Sequence, residues 1–163
     1  MSQFPVSKSR EPIIAWREWS FLYPNYLLDR GKFQAWEPRV RYEARCRANE
    51  EHLAPDLSCS CGIYAYNSRE GVINDFPREI IGQVYLWGRV IEHEHGYRAQ
   101  FAYPKSLIII NESILAQAGW LSYKFGVPVD SIKLEKIEEE KFKMPPRWTP
   151  PRFGPVRNAT FRT

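Results

Sequence analysis

Polar and apolar positions alternate most cleanly between residues 39 and 47. Val40, Tyr42, Ala44 and Cys46 interleave with Arg39, Arg41, Glu43, Arg45 and Arg47. Successive side chains of a strand point to opposite faces, so this period predicts a half-buried strand with Cys46 ending its inward face. The charged face looks to water or to an acidic partner. Ile13 to Phe21, rich in Ile and Trp, reads as an earlier strand closed by a turn at Tyr23-Pro24-Asn25. Residues 24–38 read as irregular, punctuated by Gly31 and Pro38. Cys61 to Tyr66 is a short apolar strand, and 67–77 a polar loop. Ile80 to Glu94 is the longest strand candidate. Val84, Leu86, Gly88 and Val90 line one face and Tyr85, Trp87, Arg89 and Ile91 the other. Apolar residues on both faces predict a central strand, with Gly82 and Gly88 marking bulges or close backbone approach. His95-Gly96 turns the chain, and Tyr97 to Tyr103 returns as a hairpin. Pro104 is expected to end that strand, with Leu107–Ile110 as a further one.

Asn111 to Phe125 reads as a helix. Asn111 suits the N-cap, Gly126 the position after the last turn, and Pro128 prevents continuation. Ile114, Leu115, Ala118, Leu121 and Phe125 share one face. Residues 131–143 read as a charged helix or connector. Residues 145–155 hold five prolines, which excludes both a helix and a central strand. The expected organisation is an N-terminal arm (1–10), a zinc-stabilised β-rich domain (11–130), the connector, and a Pro/Arg-rich extended tail (144–163). The expected fold class is α+β: a mainly antiparallel β-sheet, curled toward a small barrel, with one packed helix and a zinc-pinned loop.

Composition adds little to the fold and more to the chemistry. Hydrophobic residues make up 44% and aromatics 15% of the 163, which excludes wholesale disorder and favours pleated surfaces. No apolar run approaches the length of a membrane span, and the first residues carry no apolar leader core, so a cytoplasmic protein is expected. The net charge of +4 is uneven. Lys141, Lys143, Arg147, Arg152, Arg157 and Arg162 meet no acid after residue 140, and Lys8 and Arg10 add to the first arm. The stretch between is net acidic, so attraction to nucleic acid would come from the arms.

All three cysteines fall between residues 46 and 61. An odd, clustered set in a reducing compartment points to metal rather than to disulfides. The spacing Cys46-x5-His52-x6-Cys59-x-Cys61 offers three thiolates and one imidazole, the donor set of a structural zinc site. Residues 59 and 61 share a face if extended, so both reach one ion. Buried free thiols beside a surface histidine are the plain alternative. Glu92-His93-Glu94-His95 is a second candidate. It reads as the polar tip of a hairpin, with two other uses open: a metal-dependent hydrolase or nuclease site built on His93, His95 and nearby carboxylates, or a replacement ligand for His52.

Two surfaces are candidates for binding. Trp87 and Arg89, with Tyr97 and Arg98 across the hairpin, combine rings and cations. Arg147, Trp148, Arg152 and Arg157 do the same among the tail's prolines. Such mixtures stack bases and track phosphates, or dock in protein grooves. Cys59-Ser60-Cys61-Gly62-Ile63-Tyr64-Ala65 and Leu86-Trp87-Gly88-Arg89-Val90-Ile91-Glu92-His93-Glu94, followed by Gly96-Tyr97-Arg98-Ala99, together resemble a motif set of small uncharacterised bacterial and phage proteins. Trp16-Arg17-Glu18-Trp19 and His52-Leu53-Ala54-Pro55 fit the same resemblance. It implies that 46–65 and 84–104 belong to one folded unit and implies no activity. The functional expectation is a non-catalytic, zinc-stabilised binding or adaptor module within a larger assembly, meeting a protein partner or nucleic acid and no membrane.

Overall fold

The computed structural model describes residues 11–23, 26–29, 34–74, 79–132 and 153–160. One long hairpin organises them. Strand β6 (Ile80–His93) and strand β7 (Gly96–Ile109) pair antiparallel along almost their whole length. β6 is flanked by β1 (Ile13–Leu22) along its first half and by β9 (Val156–Thr160) along its second. β7 is flanked by β5 (Ile63–Tyr66), by β4 (Tyr42–Glu43) and, in parallel, by β8 (Val129–Ser131). β2 (Tyr26–Leu28) and β3 (Ala35–Trp36) extend the sheet beyond β1. The pairing curls round on itself through a single bridge, Trp16 to Tyr66, and the sheet is not a clear barrel.

The hairpin faces follow from the register. Leu86 lies opposite Ala102 and Val84 opposite Pro104, and all four are buried in the core. Trp87 lies opposite Phe101 and Tyr85 opposite Tyr103, on the other face and half-buried. Pro104 does not end the strand as the sequence suggests. The register shifts beside it, so Lys105 is the extra residue of a bulge, a place in a sheet where a residue without an N–H is tolerated. A second bulge holds Gly88, at φ +77°, and Arg89 against Gln100, whose side-chain oxygen accepts from the Arg89 N–H at 3.2 Å. Gly82 answers to close approach instead: a Cβ there would stand 2.0 Å from the Ser106 carbonyl oxygen.

Trp19 and Trp36 anchor the core edge-to-face, and Tyr42 stacks on Trp36 at 4.5 Å. Arg17 is buried beside them, donating to the Tyr64 carbonyl and to Asp29. This cluster explains why 24–38, read as irregular, contributes two strands: Leu27 and Trp36 are almost fully buried, and burial there outweighs weak local pattern. The helix expected from Asn111 is split into a 3-10 segment, Glu112–Gln117, and helix α2, Ala118–Phe125. Its ends are as expected: the Asn111 side chain accepts from the Ser113 N–H, and Gly126 closes it at φ +68°. A short helix, α1 (Arg69–Asn74), lies in the stretch read as a polar loop. Ser68 caps it by accepting from the Gly71 N–H, and Val72 is fully buried. Alternation after residue 40 holds, with Tyr42, Ala44 and Cys46 buried, but Val40 is exposed. Among the described residues, no helix is long and apolar enough to cross a membrane.

The Gly82 contact yields a stability test. Gly82→Ala is expected to cost about 2 kcal/mol or more by chemical denaturation, the range of forced overpacking. Gly119→Ala in α2, where nothing lies within 4 Å, is expected to be neutral or stabilising. An unchanged midpoint for Gly82→Ala would contradict the β6–β7 register.

Candidate metal centre

Three segments bring the donors together. Cys46 follows β4 on its inward side. His52 lies in the loop that runs on through the cis Ala54–Pro55 bond. Cys59 and Cys61 stand at the end of that loop, just before β5. The four donor atoms lie within 4.8 Å of one another. Cys46 Sγ is 3.6 Å from Cys59 Sγ, and His52 Nε2 is 3.3 Å from Cys61 Sγ. A disulfide needs sulfurs about 2.05 Å apart, and all three cysteines are free. A tetrahedral ion with sulfur at about 2.3 Å and nitrogen at about 2.0 Å puts its donors roughly 3.5–3.8 Å apart. The Cys46–Cys59 and His52–Cys61 separations lie near those values, and the other pairs stay within 4.8 Å, so the four are positioned to hold one ion after a small inward adjustment. Cys46 and Cys61 are buried, and His52 and Cys59 are partly open.

The loop is held from beneath by Arg98 of β7. Its side chain is nearly fully buried. Nη1 donates to the carbonyls of Asp56 (3.2 Å), Cys61 (3.0 Å) and Cys59. Nε donates to His93 Nε2 at 3.0 Å. Because that nitrogen accepts, the proton sits on Nδ1, which donates to the Gly154 carbonyl at 3.1 Å. Gly62 completes the support. Its φ is +126°, and a Cβ would stand 3.0 Å from the Pro55 Cβ and 3.1 Å from the Arg98 Cβ. Neither the conformation nor the space suits another residue.

The thiols differ in acidity. Burial pushes the Cys46 thiol up, but N–H donors from Asn49 and Ala48 and the neighbouring thiols more than offset it, leaving it at about 7. Burial, with the neighbouring Cys59 and Cys46 sulfurs, pushes Cys61 up to about 11. A metal must displace that proton, so capture releases protons and weakens as pH falls. Ser58 donates to the Asp56 carboxylate from both its N–H and hydroxyl, which lowers the Asp56 pKa and fixes the turn into Cys59.

His52, not His93 or His95, is therefore the histidine of the cluster. Both ring nitrogens of His93 are engaged, and His95 is exposed at the hairpin tip beside Glu94. The binding residues read on the hairpin do not form one patch. Trp87 faces Phe101, whereas Arg98 pairs with Ile91 and Tyr97 with Glu92. Arg98 is covered by the cysteine loop and is a support rather than a contact surface. Arg41 takes the expected place of Arg98: its guanidinium lies 4.2 Å from the Phe101 ring, and Trp87 is 5.9 Å from that ring. The alternating charges of 39–47 carry that signal, but only the β4–β7 pairing brings it to the hairpin. Arg147, Trp148 and Arg152 lie outside the described residues. Arg157 is on β9, its guanidinium 3.8 Å from the Glu94 carboxylate. No family model matches the sequence, and neither the curated proteins nor the solved structures contain a significant match.

Burial is the leading influence on His93 and lowers its pKa below the ordinary 6.5, with the nearby Arg98 charge adding to it and the Gly154 carbonyl opposing. A depressed histidine is neutral in both states above 6.5. The stability it contributes is lost as pH falls from there through the folded pKa. NMR titration of the His93 ring is expected to give a midpoint below 6.5; one above it would contradict the Arg98–His93 bond.

Proposed function

We propose that this chain is a zinc-stapled binding module without catalytic chemistry of its own, working inside a larger assembly. The observation that carries the reading is the closed donor set of Cys46, His52, Cys59 and Cys61. Three sulfurs and one imidazole suit zinc, and four protein ligands leave no coordination position for a reacting water. The ion would supply folding free energy by tying β4 to β5 across residues 44–62, a stretch without regular structure whose Leu53 and Leu57 are exposed.

The surface we assign to a partner is the outer hairpin face of Trp87 and Phe101 with Arg41. The partner it fits best is single-stranded nucleic acid. Rings on a sheet face stack bases without regard to sequence, and an arginine lying on a ring can reach a phosphate. Arg39, Arg45 and Arg47 are exposed on the same stretch of chain as Arg41, with Glu43 as the acid among them. Although the chain between its basic arms is net acidic as a whole, this local excess of arginine beside the rings favours a polyanion at this face.

Purified protein is expected to carry about one zinc per chain by elemental analysis. Cys59→Ser and Cys61→Ser should lose it and lower the melting temperature by about 5 °C or more, the shift that roughly 2 kcal/mol gives at this chain length. Protein prepared without metal that takes up no zinc and melts unchanged in its presence would overturn the staple. A labelled 12-nucleotide oligo-dT is expected to bind with an affinity that falls steeply with salt. Combined Trp87→Ala and Phe101→Ala should weaken it about tenfold or more while zinc content holds. Oligonucleotide binding indifferent to both substitutions, or a protein partner captured by this face in place of nucleic acid, would overturn the assignment.

A further inference from the structure

Residues 153–160 are seated on the sheet in a built site. Phe153 is buried, its ring 5.2 Å from Tyr64, 4.9 Å from Tyr66 and 6.2 Å from His93. Gly96 forms the floor, where a Cβ would stand 3.2 Å from the Phe153 ring. The backbone is tied as well: the His95 N–H donates to the Phe153 carbonyl at 2.9 Å, and the Glu94 N–H to the Pro155 carbonyl at 3.1 Å. Beyond that, β9 pairs with β6, and the Asn158 side chain donates to the Glu92 carboxylate at 2.9 Å. The seat is an aromatic pocket with an open strand edge beside it. It takes an extended Phe-Gly-Pro segment, and the chain's own residues 153–160 fill it.

This seat meets the metal loop through two side chains. The Gly154 carbonyl accepts from His93, His93 accepts from Arg98, and Arg98 donates to the carbonyls of Cys59 and Cys61. Arg98 can serve those carbonyls together only while the loop keeps one shape, and zinc is what would fix that shape. With the loop loosened, Arg98 is released to other rotamers and the His93 ring loses the donor that sets its tautomer and orientation. The ring that would move also forms one wall of the Phe153 pocket. Resting on the zinc reading above, we propose that metal binding at Cys46, His52, Cys59 and Cys61 and seating of the C-terminal segment 153–160 are coupled through Arg98 and His93. A metal-loaded chain holds the segment closed. A metal-free chain releases it and opens the pocket and the β6 edge to another extended segment. By linkage, displacing the segment weakens the metal by the same factor.

The test is amide hydrogen exchange on the full chain, zinc-loaded and zinc-stripped. Stripping is expected to raise exchange of the β9 amides, Val156–Thr160, about tenfold, within the usual range of coupling between sites. The β1–β6 ladder, Ile13–Trp19, should change little. In His93→Ala the same stripping should leave the β9 response much reduced, because the connection is cut. Phe153→Ala should weaken zinc about tenfold in competition with a chromophoric chelator. If that variant does not fold, the comparison of loaded and stripped wild-type protein decides alone. Zinc bound with β9 exchange unchanged on stripping overturns the coupling and leaves the zinc reading intact. A rise of equal size across β1, β6 and β9 overturns it too, since loss of metal then unfolds the whole. A wild-type chain that takes up no zinc overturns the reading on which the coupling rests.

Discussion

The guanidinium of Arg98 is the interaction around which the rest is arranged. A buried cation is costly unless its hydrogen bonds are met. Here they are met by carbonyl dipoles of the cysteine loop and by a neutral imidazole, not by a carboxylate. The demand runs both ways. The carbonyls of Asp56, Cys59 and Cys61 belong to a loop without regular structure, and Arg98 supplies the donor that a strand neighbour would supply elsewhere. Arg98, which reaches all three carbonyls, and the proposed ion together hold that loop in one shape. That shape is what places three sulfurs and a nitrogen around a common point.

Arg98 is rigid because the hairpin beneath it is. It pairs with Ile91 across β6 and with Tyr64 across β5, so its backbone is fixed on both sides. The Gly88 bulge, a few residues away, sets the twist between the Trp87–Phe101 end and the Val90–Ala99 end. The two ends thereby serve different purposes. One presents rings and Arg41 outward, and the other is covered by the cysteine loop and by residues 153–160. A single long hairpin holds both the proposed partner face and the metal support.

Much of this was legible from residue order. The β-rich class, the central strand from Ile80, the Asn111 and Gly126 helix ends and the four donors all follow from period, capping chemistry and ligand type. What escaped did so for physical reasons. Pro104 reads as a stop because a ladder position without an N–H is normally forbidden, and only the paired register reveals the bulge that excuses it. Residues 26–36 carry weak local pattern, and their strands exist because Trp36 and Leu27 find Trp19 and Tyr42 in space. Arg98 looks like a solvent-facing cation because it alternates with apolar residues. What covers it is the cysteine loop, 37 to 42 residues earlier in the chain. Val156–Thr160 hides behind a proline-rich stretch, and its pairing edge on β6 has no local signature.

On the reading proposed above, four side chains from one short stretch close around a single zinc ion. X-ray absorption at the zinc edge on the purified protein tests it most directly. Three sulfur scatterers at about 2.3 Å and one imidazole nitrogen at about 2.0 Å, with no bound water, are expected. A shell of oxygen and nitrogen alone, or protein that retains no zinc, would contradict it.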